Sequence, residues 1–170
     1  MSLSFEEYVN QFRRGAVNYP PSRAKHEFVA PEGSSEGERL MHRVLREMGY
    51  KYMEDYACEY VVEELGRLRF DFFLKKIKLF IEFDGSQHYE GSRFHTSREV
   101  WMEAIQRDER KNEFCRTRGY SLLRIPHVYS RKYPKLKQLV FEFINRVCFS
   151  PDPIVEVDLY FKWKAGKLIV

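Results

Sequence analysis

The sequence predicts an α/β domain whose elements run α, β, β, β, α, β, with a mixed central sheet flanked by helices. Three observations carry that prediction. Residues 56–85 hold three short strand-forming runs, YACEYVV, LRFDFFL and LFIEFDG, separated by the turns EELG and KKIK. Amphipathic stretches at helical spacing lie on either side of these runs, at about 34–50 and 97–118. A fourth short apolar run, SLLRI, follows the second helix and is closed by Pro126.

The elements follow from local chemistry. SFEEYVNQFRR (4–14) predicts a short helix, and NYPPSRAKHEFVAPEG, with three prolines, predicts an irregular arm, so residues 1–33 form an N-terminal extension. In the first core helix Leu40, Met41, Val44, Leu45 and Met48 share one face, and Gly49 is a stop signal. Gly85 ends the third strand, and a polar stretch leads to the second helix, whose line Val100, Ala104, Asp108, Lys111 and Cys115 predicts a buried stripe. Residues 34–127 are the predicted core. Beyond it, residues 128–170 predict a packed extension: a helix with Leu136, Leu139, Val140, Phe143, Ile144 and Val147 as its stripe, then IVEVDLYFKW as one more strand or hairpin.

The chain has 170 residues, 44% of them hydrophobic and 32% charged, which suits one globular domain with an extension. No segment approaches the ~20 apolar residues of a membrane span, and residues 1–33 lack a signal-peptide core. A soluble, intracellular protein without membrane contact is expected. Cys58, Cys115 and Cys148 form no CxxC or CxH pair, which argues against a disulfide framework or a structural zinc site. Net charge is zero over residues 1–33, −3 over 34–90 and +7 over 91–170. An acidic centre beside a basic C-terminal half suits a metal site next to a phosphate-binding surface, and ordinary solvated charge suits it equally.

The acids of the central strands carry the chemical argument. Strict alternation puts Leu68, Phe70 and Phe72 on one face and Arg69, Asp71 and Phe73 on the other, and separates Leu79, Ile81 and Phe83 from Phe80, Glu82 and Asp84. A hairpin centred between Lys76 and Ile77 sets Asp71 opposite Glu82. Like charges there are destabilising unless something compensates, and a divalent cation with oxygen ligands does so. Neutralisation by Arg69, Lys75 or Lys78 is the alternative. His88, just past the strand end, has the chemistry of a general base. Asp108 and Lys111 continue an inward-facing helical line, or pair with each other at the sheet edge. Ser35 and Glu38 fit a capping box, so the Glu38 carboxylate has a structural reading beside a metal-binding one.

Five stretches in order, SEGE (35–38), FDFFL (70–74), IEFDGSQHY (81–89), RDERKNEFC (107–115) and LLRIPH (122–127), resemble the very-short-patch-repair-like endonucleases, including the phage and viral homing-endonuclease branch of the PD-(D/E)XK nuclease superfamily. The resemblance covers about residues 34–127. It implies a restriction-endonuclease-like core and a DNA endonuclease dependent on Mg²⁺ or Mn²⁺. It further implies Asp71 as central metal ligand with Glu82 and Asp84 at the (D/E)-x-K positions, Glu38 as supporting acid, His88 as base and Asp108 as the group that orients it. Asp84 stands where the motif has lysine, so Lys111 or Gln87 would take that role. Gln87, Arg107, Arg110, Arg116, Arg118 and Lys132, with Arg131, Lys135 and Lys137, are expected to contact nucleic acid. His42, His95 and His127 match no catalytic position.

Two other classes stay open. One is a catalytically silent nucleic-acid-binding module with the same fold. The other is an interaction protein whose C-terminal helix forms a homodimer surface. A nuclease of this kind would take its specificity from the extensions or from a separate targeting partner, because no DNA-reading module is recognisable.

Overall fold

The computed structural model describes residues 30–89 and 97–168, with the side chains of all of them except Gln87. The expected helix at 4–14 and most of the arm lie outside the described residues. The chain divides after Ser34, and residues 35–170 hold every element described below.

That unit is mixed α/β. Its elements are α1 (Glu36–Glu47), β1 (Tyr56–Val62), β2 (Leu68–Leu74), β3 (Leu79–Asp84), α2 (Arg98–Arg118), β4 (Ser121–Pro126), α3 (Tyr133–Phe149), β5 (Val155–Glu156) and α4 (Leu159–Lys164). The strands form one sheet in sequence order, antiparallel across β1, β2 and β3, then parallel from β3 to β4 and β4 to β5. Helices α2 and α3 are the connections that parallel pairing requires.

The β2–β3 ladder pairs Phe72 with Ile81, Phe73 with Phe80 and Leu74 with Leu79, the register of a turn centred between Lys76 and Ile77. Phe72 meets His42 of α1 edge-on at 4.9 Å. Phe73 packs on Phe80 at 4.5 Å, and Phe80 meets Phe114 of α2, so α1 and α2 cover opposite faces of the sheet. The α2 side holds the cluster Val62, Leu65, Phe70, Phe73, Phe80, Cys115 and Leu122.

Strict alternation fails at one place. Phe70 stacks on Phe80 at 4.0 Å and so shares the face of Phe73, not that of Phe72. The cause is local: β1 and β2 pair on either side of Glu59 and Asp71 but not at them, and Glu59 has φ +50°. A non-glycine residue there is uncommon and marks an irregular spot in the ladder, where a strand re-aims its side chains.

Two further expectations are corrected. IVEVDLYFKW is a two-residue strand followed by a helix, not a long strand. The neighbours Leu159 and Tyr160 are both buried, which a strand with one covered face does not allow, and Lys162 bonds both Glu156 and Asp158 at 2.7 and 2.9 Å. In α2 the predicted stripe is buried at Cys115 and part-buried at Lys111 and Asp108, but Val100 is exposed, because the first turns of the helix run past the sheet.

Candidate active site

The C-terminal ends of β3 and β4, the first turn of α1 and the middle of α2 enclose a cleft of about 730 Å³. Its lining includes Glu38, Arg67, Arg69, Asp71, Glu82, Asp84, His88, Arg107, Asp108, Lys111 and His127.

Glu38 reaches the cleft because Gly37 lets α1 approach the sheet. A Cβ on Gly37 would lie 2.4 Å from the Phe83 ring, so only glycine fits there. The capping box is formed: Ser35 Oγ accepts from Glu38 N–H at 3.2 Å, and Glu38 Oε2 accepts from Ser35 N–H at 2.6 Å. Glu38 is thus fixed by its cap and also joins a carboxylate cluster with Glu59 and Asp71, whose ligand oxygens all lie within 4.8 Å of one another. The irregular spot in the β1–β2 ladder therefore brings two acids to the helix terminus.

Asp71 accepts from Phe83 N–H at 2.7 Å. Burial, against that hydrogen bond, raises its carboxyl to about 6, with Lys111 lowering it and Glu38 and Asp84 adding to the rise. Burial and then the nearness of Asp71 push Glu82 up to about 8, opposed by Lys111, whose Nζ stands 2.5 Å from Glu82 Oε1.

His88 ends a short 3₁₀ turn, Ser86–His88, and its Nδ1 lies 2.8 Å from Asp108 Oδ2. Burial alone would lower the imidazole; the bond to Asp108 and the charge of Asp84 outweigh it and hold His88 above its ordinary value. Asp108 is held down at about 2: burial opposes this, but His88 and Arg124 prevail.

The three acids expected to bind a metal, Asp71, Glu82 and Asp84, all line the cleft, and the last two each have a cationic partner. Both oxygens of Asp84 accept from Arg124, at 2.9 and 2.8 Å, and Asp84 Oδ2 also accepts from the Tyr89 hydroxyl at 2.6 Å. Asp84 is thus a buried ion-pair partner of Arg124 that also lines the cleft. Glu82 bonds Lys111 through Oε1. Asp71 lies in the carboxylate cluster, where Glu59 and Glu38 join it. Sequence reading missed Glu59 and Arg124. Glu59 had a signal, an acid within YACEYVV that faces Asp71 once the strands are paired; Arg124, a lone cation in the apolar run SLLRI, had one too.

The expected nucleic-acid contacts separate by helix face. Arg107 lines the cleft one turn before Lys111. Arg110 donates to the Leu65 carbonyl at 3.0 Å, Arg116 pairs with Glu109 at 3.0 Å, and Arg118 pairs with Glu64, and all three are exposed. Lys137 likewise pairs with Glu47 at 2.7 Å. Lys132, Arg131 and Lys135 are exposed near the start of α3. The Gln87 side chain lies outside the described residues.

Fold and cleft define a mixed α/β protein with a five-stranded sheet and a carboxylate-rich cleft containing a His–Asp pair. Two viral proteins are similar to the chain. Uncharacterized protein 307L of Invertebrate iridescent virus 6 is 28% identical over 138 residues, 66% of this chain and 70% of that protein. Uncharacterized protein 033L of Invertebrate iridescent virus 3 is 33% identical over 83 residues, 45% of this chain and 43% of that protein. No protein-family model matches, and no solved structure matches. No helix among the described residues is long and apolar enough to cross a membrane.

Proposed function

We propose that the protein is a metal-dependent endonuclease that hydrolyses phosphodiester bonds in DNA. The observation that carries this reading is one cleft lined by Glu38 and Asp71 of the carboxylate cluster, by a His–Asp pair and by cationic walls.

The cluster fits a hard divalent cation. Its donors are three carboxylates, the ligand type that Mg²⁺ and Mn²⁺ prefer, and Asp71 is a carboxylate whose charge is disfavoured by its surroundings. Glu38, Glu59 and Asp71 would hold the ion, which when bound supplies positive charge to the scissile phosphate and acidifies a water. With Nδ1–H donated to Asp108, His88 has Nε2 free to take the proton of the attacking water. Asp108 stabilises the imidazolium that forms. Lys111 balances negative charge on the phosphoryl group, and Arg67, Arg69 and Arg107 hold flanking phosphates. Arg69 also pairs with Glu59 at 2.8 Å, which links the phosphate wall to the carboxylate cluster.

The test is digestion of supercoiled plasmid with Mg²⁺, Mn²⁺ or EDTA, beside Asp71→Ala. Metal-dependent nicking or linearisation that the variant lacks supports the reading. Salt-sensitive DNA binding by both proteins, without cleavage of duplex, branched or single-stranded DNA, would instead favour the silent binding module. That alternative draws on the ion pairs that occupy Asp84 and Glu82.

A further inference from the structure

Arg124 is 4% exposed, and every atom of its guanidinium that can donate has a partner. Nε and Nη2 grip both oxygens of Asp84, at 2.9 and 2.8 Å. Nη2 also stands 2.9 Å from Asp108 Oδ1, and Nη1 reaches Asn112 Oδ1 at 3.4 Å. The two acids lead onward to the same residue. Asp108 uses its other oxygen on His88 Nδ1, at 2.8 Å. Asp84 Oδ2 accepts from the hydroxyl of Tyr89, the covalent neighbour of His88, at 2.6 Å. The path is a closed circuit: His88 ring, Asp108, Arg124, Asp84, Tyr89, and back through one peptide bond to His88.

We propose that Arg124 is the positioning residue of the cleft, fixing the His88 ring through Asp108 and the His88 backbone through Asp84 and Tyr89, so that the neutral imidazole carries its proton on Nδ1 and turns Nε2 to the cleft. Its activity arm rests on the nuclease reading; its structural arm does not. Two features make the assignment specific to arginine. A planar fork satisfies one carboxylate bidentately while still reaching a second, which a lysine ammonium, a single compact charge, does not reproduce. The fork is also built in: Arg124 pairs with Glu82 in the β3–β4 ladder, so the circuit hangs from a strand that is paired on both sides. Its far side is braced by the C-terminal segment, where the Tyr160 ring of α4 stacks on Tyr89 at 4.0 Å and 11°. That contact gives the short C-terminal helix a part in the site without placing any of its residues in the cleft.

The experiment uses the full chain in EDTA. Long-range ¹⁵N–¹H correlation spectra report the His88 tautomer at a pH where the ring is neutral, and His88→Gln assigns the signals. The wild type is expected to show the Nδ1–H form. Arg124→Lys, which keeps the charge and loses the fork, is expected to shift the ring toward the other tautomer. Tyr89→Phe, which keeps the ring stack and loses only the hydroxyl, is the second variant if the first does not unfold cooperatively on heating. Where cleavage is measurable, each should lower kcat about tenfold with KM little changed, and have almost no effect on the residual rate in a His88→Ala background. An unchanged tautomer in a cooperatively folded variant overturns the proposal, as does an equal loss of rate with or without His88. A tautomer shift in a protein that cleaves nothing upholds the positioning role and refutes the nuclease.

Discussion

His42 and His88 are the same side chain in two buried settings with opposite outcomes. His42 lies on the α1 side of the sheet, 1% exposed, with Nδ1 2.9 Å from the Tyr56 hydroxyl and its ring packed against Tyr52, Tyr56 and Phe72. Burial lowers it to about 4, despite some support from Glu38. His88 is desolvated too, yet its value is raised, because its partner is an anion that Arg124 keeps ionised. Burial of an imidazole therefore does not decide its chemistry; the charge of the group it faces does. One histidine is a neutral core residue, and the other holds its proton more firmly than a free imidazole.

The comparison breaks most severely at Asp108. Asp108→Asn should turn His88 into a second His42, with its titration, followed by NMR, moving below the ordinary value of 6.5. Loss of the orienting anion should reduce cleavage on the order of 10³-fold. The next effect concerns stability and pH. The folded value of His42 is depressed, so its contribution is present above pH 6.5 and is lost as pH falls toward 4, where the unfolded chain binds the extra proton. A shift of this size corresponds to about 3 kcal/mol. His42→Phe keeps an aromatic ring and should flatten that part of a denaturation profile measured from pH 7 to pH 4. His88 has the reverse sign: its contribution is complete below pH 6.5 and fades as pH rises through its raised folded value.

Smaller effects sharpen the geometry around the two residues. Gly37→Ala must push α1 away from Phe83, and overpacking of this kind costs about 1–3 kcal/mol. Because Glu38 rides on that turn, cleavage should fall further than Tm explains, which activity assays below the unfolding transition would show. The smallest effect is at Arg107. Arg107→Ala should weaken DNA binding evenly across sequences and reduce the slope of log K against log salt by about 1. Arg118→Ala, which removes a partner of Glu64 outside the cleft, should leave that slope unchanged.

Much of this frame is legible in the sequence because it is local. The three central strands, the α2 helix and the capping box at Ser35 each follow from spacing or from one turn's chemistry, and the β2–β3 register follows from the length of KKIK. Two things were not local. The left-handed conformation of Glu59 breaks the alternation that strand reading assumes, and with it Phe70 changes face and Glu59 joins Asp71. Arg124 reaches Asp84 only because β3 and β4 pair in parallel across forty residues of sequence. Motif spacing shows Asp84 as an acid in a site, but not the cation that already holds it. At the C-terminus the alternating pattern of IVEVDLYFKW misled because adjacent residues, Leu159 and Tyr160, both pack inward.

The proposed role of His88, rather than His42, as the base is tested by a side-by-side digestion of plasmid by His88→Ala and His42→Phe with Mg²⁺, at a temperature where both are folded. His88→Ala is expected to lose about 10²- to 10⁴-fold of the cleavage rate while His42→Phe retains most of it. Full activity in folded His88→Ala would contradict that role.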